Sequence, residues 1–314
     1  MVAVIPGMFG QPPASLKVPC GRCIMCRIAR SREWALRCLH EASSHSDSLF
    51  VTLTYNFEFL PSDLNINKCT LQKFIKRLRR RLEPRKIRYL MCGEYGDVKN
   101  VSDGSKGLPI DPYYWSYVMR GVARPHYHGI IFGLALHEHE LELKVKGDQS
   151  KGYKCTGGPL YEAWKDPDTG LSMGHIVVGN VSYDSARYCV DYIFKQLTGE
   201  KRKGGVTQPF KLQSAGLGRE YMLANREKLC DNIGLTLRGV EVGLPRYYQK
   251  KLLVTKQLRE NYVKAAVERE EKLRTDAARR GVDEWSMGRY LRQGREQKEK
   301  NVVVRQKMKK TGGL

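Results

Sequence analysis

The chain has 314 residues, 41% of them apolar, which is enough for one large domain or two modest ones with a real core. Lys and Arg outnumber Asp and Glu by 55 to 33, and the formal net charge of +22 favours polyanionic partners, nucleic acid first and an anionic membrane second. A membrane-spanning protein is disfavoured, because no apolar run approaches the roughly 18 to 20 residues that a spanning helix needs.

The N-terminus and the cysteines indicate a cytosol-like compartment. No basic residue precedes Lys17, so the first residues form a poor signal peptide. The chain holds nine cysteines, and an odd number without such a signal suggests reduced thiols or metal ligands. We therefore expect no disulfide framework.

The first half of the chain alternates helical and strand patterns. Residues 1–16 contain Pro and Gly and are expected to form a loose arm, and the segment CGRCIMCRIARSREWALRCLHEA (20–42) has helical character in its second half. FVTLTY (50–55) is rich in β-branched and aromatic residues and predicts a strand. TLQKFIKRLRRRLE (70–83) predicts an amphipathic helix with a basic outer face. IRYLMCGEYG (87–96) predicts another strand.

The next part of the chain is less regular. Residues 97–123 show no clean period and are expected to form an insertion between strands, after which HYHGIIF predicts a strand. Residues 137–174 form a polar stretch with a weak helical pattern around 159–165. Since residues 199–205 are rich in Gly and Lys, we expect a break there.

Two further elements complete the fold prediction. HIVVGNVS (175–182) predicts a strand, SARYCVDYIFKQL (185–197) a helix, and the chain from about Tyr247 to Lys310 charged, mostly helical structure. Short strands interleaved with helices, without the regular βα alternation of a TIM barrel or Rossmann sheet, predict an α+β fold. We expect a mainly antiparallel central sheet with flanking helices and a basic helical C-terminal extension.

The strand HYHGIIF carries a candidate metal site. Alternate strand residues share a face, so His126 and His128 project together while Tyr127 points the other way. Glu94, at the end of the preceding strand, would add a carboxylate, and such a set suits Mn²⁺ or Mg²⁺ bound beside phosphate oxygens. The alternative is that the histidines are surface or stacked residues and Glu94 an ordinary turn residue.

The helix RYCVDYIFKQ carries candidate nucleophiles. At 100° per residue, Tyr188, Tyr192 and Lys195 fall on one face. The alternative is a core stripe of aromatics, but a second face already offers apolar residues for burial. These are Cys189, Val190, Ile193, Phe194 and Leu197. With a nearby metal, two tyrosines one turn apart would allow two successive transesterifications of DNA.

The set of motifs resembles the HUH endonucleases, specifically the two-tyrosine rolling-circle replication initiators. An apolar strand, a His-hydrophobic-His strand and a Tyr-x-x-x-Tyr helix followed by Lys occur here in family order. Seven segments between residues 18 and 252 are also similar to the replication initiation proteins of gokushovirus-type Microviridae, which are single-stranded DNA phages. They are VPCGRCIMCRIARSREWALRCLHEA, FVTLTYN, CGEYGD, RPHYHGIIFG, ARYCVDYIFK, GLGREY and LPRYYQKKL.

The resemblance implies site-specific nicking and rejoining of DNA through a covalent 5′-phosphotyrosine, with Mn²⁺ or Mg²⁺ as cofactor. It assigns His126, His128 and Glu94 as metal ligands, Tyr188 and Tyr192 as nucleophiles, and Lys195 as an electrostatic helper near the phosphate. It implies single-stranded and supercoiled double-stranded phage DNA as substrates, host helicase and polymerase as partners, no membrane, and the host bacterial cytoplasm as location.

The resemblance also suggests a division of the chain into four segments. Residues 1–48 would form an N-terminal arm and a Cys/Arg-rich helical segment, and residues 49–200 the HUH endonuclease core. Residues 201–250 would be an accessory segment, and residues 251–314 a basic, mostly helical tail.

A second metal site is a separate hypothesis. Cys20, Cys23 and Cys26 have CxxCxxC spacing and would hold Zn²⁺ with a fourth ligand from Cys38, His40 or elsewhere. The alternatives are small buried thiols at the start of a helix, or an iron–sulfur cluster.

DNA contacts are expected from basic segments and exposed aromatics. At least one of the helix near 73–86, the Arg set at 22–37 and the tail after 246 would follow the DNA backbone. Trp34, Tyr55 and Tyr113–Trp115 are the residues available for base stacking. Two other functions stay open: a non-catalytic nucleic-acid-binding or packaging protein, and a plasmid mobilisation relaxase.

Overall fold

The computed structural model describes most of the chain in two compact units, residues 1–29 with 225–314 and residues 30–224. The described residues are 2–5, 14–17, 20–21, 23–104, 109–145, 148–196, 205–231, 234–237, 239–252, 256–283 and 286–310. Some side chains inside helices and strands lie outside the described part, including those of Tyr192 and Lys195.

The described strands and helices alternate along the chain. The strands are β1 Val2–Ile5, β2 Ala14–Lys17, β3 Ser48–Thr54, β4 Arg88–Tyr95, β5 Pro125–Phe132, β6 Leu141–Val145, β7 Asp148–Cys155, β8 Ile176–Asn180, β9 Phe210–Gln213, β10 Gly234–Leu237 and β11 Val240–Gly243. The helices are α1 Ile24–Ala42, α2 Lys68–Leu82, α3 Tyr114–Arg120, α4 Gly158–Ala163, α5 Tyr183–Gln196, α6 Arg219–Ala224, α7 Arg226–Asp231, α8 Arg246–Leu252, α9 Lys256–Arg279 and α10 Met287–Lys310.

A seven-stranded sheet forms the centre of the unit 30–224, in the order β6-β7-β8-β3-β5-β4-β9. All neighbouring strands pair antiparallel, and β5 lies between β3 and β4. The predicted α+β class with an antiparallel sheet and flanking helices is therefore confirmed.

Side-chain alternation along the strands gives the sheet two buried faces. One face packs against α2 and α4, where Phe74 and Trp164 meet Leu53, Met91 and Tyr127. The other face packs against α1 and α5, and its buried residues form a second cluster. These are Ala35, Cys38, Leu90, Cys92, Ile130, Phe132, Ala186, Cys189, Val190 and Leu217. The sheet therefore lies between two layers of helices, and the residues of β4 and β5 that face α5 share one surface.

The basic helix α2 forms as its pattern predicts. Asn67 caps it by accepting hydrogen bonds from the backbone N–H groups of Cys69 and Thr70. Its apolar residues are buried, at Leu71, Phe74, Ile75 and Leu78. Its basic residues are mostly exposed, at Lys73, Lys76, Arg79, Arg80 and Arg81.

Two predictions for irregular segments are wrong. The expected loose arm at residues 1–16 instead contains β1, which pairs with β2 in an antiparallel hairpin. The polar stretch 137–174 holds more than the expected weak helix, because β6 and β7 extend the sheet at one edge. The edge hairpin escapes prediction because its strands are short and half-polar, and its register shifts between Leu143 and Val145. β9, within the predicted accessory segment, adds the other edge strand beside β4.

The unit that joins residues 1–29 to 225–314 is mostly helical after residue 246, as expected. Within it, Asn261 of α9 donates a hydrogen bond of 2.9 Å to the carbonyl oxygen of Cys230 on α7. None of the described helices combines the length and the apolar character that a bilayer span requires. The division into four segments stays a prediction.

Candidate metal and nucleophile site

Strand pairing brings the predicted carboxylate to the predicted histidines. In the β4–β5 register Glu94 lies opposite His126, and Cys92 lies opposite His128. The insertion 97–123 leaves this register intact, because backbone hydrogen bonds join Gly96 to Ala123 and Arg124 directly beyond the strands. Glu94, His126 and His128 therefore project from the same face of adjacent strands, the face that packs against α5.

The ligand atoms of these three side chains converge. The Oε1 atom of Glu94 lies 2.6 Å from Nε2 of His128 and 3.2 Å from Nε2 of His126. The two imidazole centroids are 4.6 Å apart, and one ligand atom from each residue lies within 4.8 Å of the others. This spacing allows all three residues to reach a single cation.

The other ring nitrogens are held by neighbouring groups. Nδ1 of His126 lies 3.0 Å from the carbonyl oxygen of Arg124, so it donates a hydrogen bond there. Nδ1 of His128 lies 3.0 Å from Oγ1 of Thr52, which is opposite it on β3. These contacts orient the rings and leave both Nε2 atoms for a ligand, as in metal sites whose histidines are held by outer partners.

The donor set fits a divalent cation. Glu94 is 1% exposed, and its Oε2 atom is buried without a hydrogen-bond partner, as is Nε2 of His128. Buried polar atoms are rarely left unsatisfied, so such atoms directed at one point suit a bound ion. One carboxylate and two imidazoles are ligands that Mn²⁺ accepts, and oxygen donors of the substrate would complete its coordination.

The protonation of the three residues also suits a cation. Burial disfavours the charge of Glu94, but the adjacent imidazoles of His126 and His128 hold the pKa of that carboxyl below its usual range. Burial lowers the pKa of His128, partly opposed by Glu94. The site thus presents a carboxylate beside a neutral imidazole, and these are the forms that bind metals.

The first predicted nucleophile lies beside this cluster. Tyr188 is 41% exposed, and its ring packs edge-on against His128 with centroids 5.3 Å apart. The thiol of Cys92 lies 3.4 Å from the carbonyl oxygens of both His128 and Cys189, so it bridges α5 and β5. Because Cys189 is buried as predicted, α5 turns its neighbour Tyr188 towards solvent.

The remaining predicted catalytic residues lie on the same helix. Tyr192 and Lys195 belong to α5, but their side chains are outside the described part of the structure, and the same holds for Ile193 and Phe194. Leu197 lies outside the described residues. The roles assigned to Tyr192 and Lys195 stay predictions.

The candidate zinc ligands divide into a group and a separate residue. Cys20, Cys23 and Cys26 come together around the start of α1. Cys38 is not part of this group, since it is fully buried in the core beside the sheet, where desolvation raises its pKa to about 12. His40 stacks on Tyr221 with ring centroids 3.8 Å apart.

One proposed stacking residue is wrong, and one positioning residue is missing from the sequence predictions. Tyr55 is buried, and its hydroxyl lies 2.9 Å from that of Tyr127, so it is not available to a base. Trp34 is half-buried beneath the ammonium of Lys211, whereas Trp115 is 68% exposed. The missing residue is Thr52, because only the register between β3 and β5 shows that it faces His128.

Comparisons with known proteins agree with these motifs. The family model described as replication-associated protein ORF2 matches residues 48–101. Replication-associated protein ORF2 of Spiroplasma virus 4 is 30% identical over 304 residues, which cover 92% of this chain and 83% of that protein. Replication-associated protein VP4 of Bdellovibrio phage phiMH2K is 29% identical over 248 residues, 75% of this chain and 67% of the relative.

A third relative is more distant. Replication-associated protein ORF4 of Chlamydia phage 1 is 26% identical over 246 residues, which cover 76% of this chain and 54% of that protein. No solved structure matches the chain significantly. The identity and coverage of the Spiroplasma virus relative are decisive, and the chain belongs to the family of phage replication-associated proteins that these relatives represent.

Proposed function

We propose that this protein initiates rolling-circle replication of a single-stranded DNA phage by nicking and rejoining the phage DNA. The observation that carries the proposal is the packing of the exposed Tyr188 ring against His128, 5.3 Å between centroids, beside the cluster of Glu94, His126 and His128. A candidate nucleophile and a candidate cation site therefore share one face of the sheet. Membership of the replication-associated family supports a role at this stage of the phage cycle.

The cation would be held by the carboxylate of Glu94 and the Nε2 atoms of both histidines. When bound, Mn²⁺ or Mg²⁺ supplies a positive charge that polarises the scissile phosphodiester and favours an anionic nucleophile. The chain itself contributes orientation, since Thr52 and the carbonyl of Arg124 hold the imidazole rings.

In the proposed reaction, Oη of Tyr188 forms a bond to phosphorus while the bond from phosphorus to the 3′ oxygen breaks. The phenol proton passes to solvent and the departing 3′ oxygen takes up a proton. The products are a free 3′-hydroxyl and a 5′-phosphate joined to the tyrosine. Attack by a 3′-hydroxyl on this phosphotyrosine reverses the step and rejoins the DNA. Tyr192 would carry out a second transfer, with Lys195 near the phosphate.

Charge supports DNA as the substrate. The formal net charge is +22, and the exposed face of α2 is almost entirely basic. Such surfaces bind phosphates with little regard to sequence. Single-stranded and supercoiled double-stranded phage DNA are the proposed substrates, and host helicase and polymerase are the proposed partners after nicking.

The test is covalent capture of the protein by DNA. Single-stranded oligonucleotides that tile the phage genome are labelled at the 3′ end, incubated with protein and Mn²⁺ with or without EDTA, and separated on a denaturing gel. We expect a metal-dependent protein–DNA adduct that is abolished in the double variant Tyr188→Phe, Tyr192→Phe. Tyr183→Phe, in the first turn of the same helix, is the matched control and should retain the adduct.

The same gel separates the rival functions. An adduct that persists in the double tyrosine variant, or that forms equally in EDTA, would overturn the mechanism. Binding of the complete tiled set without cleavage would instead identify a non-catalytic nucleic-acid-binding protein.

A further inference from the structure

Three half-buried cysteine thiols lie together outside the site described above. Cys20 and Cys23 precede α1, and Cys26 lies in its first turn. The Sγ atoms of Cys20 and Cys26 are 3.9 Å apart, and the three sulfur atoms all lie within 4.8 Å of one another. None of the three residues forms a disulfide, so the cluster is a set of thiols.

The backbone is arranged around this cluster. Gly21 has a φ of 75°, a left-handed conformation that glycine adopts at low cost, and it turns the chain between Cys20 and Cys23. The N–H of Cys23 donates a hydrogen bond of 3.2 Å to Sγ of Cys20. Such a bond favours a thiolate over a thiol, because the anionic sulfur is the better acceptor. The N-terminal end of α1 adds a positive field at Cys26.

The sulfur spacing agrees with tetrahedral coordination. Zinc–thiolate bonds of about 2.3 Å at tetrahedral angles separate two sulfur ligands by about 3.8 Å. The observed 3.9 Å between Cys20 and Cys26 therefore needs almost no rearrangement. Thiolates are soft ligands that select zinc over Mg²⁺ or Mn²⁺, which prefer the oxygen and nitrogen donors of Glu94, His126 and His128.

We propose that Cys20, Cys23 and Cys26 bind one zinc ion through three thiolates, with a solvent molecule as the fourth ligand. The ion would tie the turn at Gly21 to the first turn of α1. Because metal binding to such a site couples to local folding, zinc would order the segment that leads into α1. This site is independent of the proposed nuclease chemistry.

The first test is metal content. The full-length protein is purified under reducing conditions, passed over a chelating resin and analysed by inductively coupled plasma mass spectrometry. We expect one zinc per chain, and a loss of at least five-fold in Cys23→Ser. Cys69→Ser is the matched control, since Cys69 is an exposed thiol on α2, and this variant should keep its zinc. His126→Ala with His128→Ala should also keep it, which separates this site from the nuclease site.

A second measurement does not depend on any variant. Zinc is removed with a thiol reagent and a chelator, the thiols are regenerated, and Co²⁺ is added to the unmodified sequence. We expect a sulfur-to-cobalt charge-transfer band in the near ultraviolet that disappears when Zn²⁺ is added. Absence of zinc from protein grown with a zinc supplement, together with absence of this band, would overturn the proposal. Iron with visible absorption, or a mass lower by two protons from a disulfide, would also overturn it.

Discussion

The hydrogen bond between Thr52 and His128 allows the metal site to be tested without changing any proposed ligand. Thr52→Val keeps the branched shape of the side chain but removes the hydroxyl that lies 3.0 Å from Nδ1 of His128. His128 is buried, so its Nδ1 is left without a partner and the ring loses its orientation. An unsatisfied buried polar group costs about 1–3 kcal/mol.

This cost predicts a measurable loss of metal affinity. Outer partners of metal-binding histidines typically contribute about 10- to 100-fold in affinity. We therefore expect Thr52→Val to raise the Mn²⁺ dissociation constant by about 10- to 100-fold. The free energy of unfolding should fall by only about 1 kcal/mol. Free Mn²⁺ is counted by its electron paramagnetic resonance signal during titration, and urea denaturation gives the stability.

Thr54→Val is the matched control. Thr54 lies two residues further along β3, opposite His126, but its hydroxyl donates to the carbonyl oxygen of His175 at 3.2 Å and touches neither imidazole. This variant should bind Mn²⁺ as the original protein does. Equal affinity in all three proteins, or an equal loss in both variants, would refute the argument that Thr52 positions His128.

Three further predictions concern stability and DNA binding. Gly129→Ala should lower the free energy of unfolding in urea by about 1–3 kcal/mol, because its Cβ would lie 2.5 Å from the carbonyl oxygen of Leu90, whereas Gly179→Ala has open space and should change little. Burial and nearby Arg37 lower the pKa of Lys211 to about 8, so the unfolded chain binds more protons between that pH and 10.5 and stability rises with pH across this window. Lys211→Met should remove that rise in urea titrations between pH 7 and 10, and an unchanged slope would contradict it. Trp115→Ala should weaken single-stranded DNA binding in fluorescence anisotropy by about 1–3 kcal/mol without loss of stability, and an equal effect on double-stranded DNA would contradict a stacking role.

Local periodicity was sufficient for much of the fold. Strand alternation alone determined that His126 and His128 share a face while Tyr127 enters the core, because side chains of a strand alternate whatever surrounds it. The apolar spacing of α2 likewise determined its buried face. These properties depend on residues close together in the chain.

Long-range pairing decided the rest. Glu94 meets His126 only through the β4–β5 register, across an insertion whose length the sequence pattern cannot convert into a distance. Thr52 meets His128 through a separate register, and Tyr55 lost its predicted stacking role because its hydroxyl bonds to Tyr127 in the core. A register moved by one residue would turn each of these side chains to the opposite face. Residue types and local faces were thus readable from the sequence, whereas the contacts among distant residues depended on how the strands pair in three dimensions.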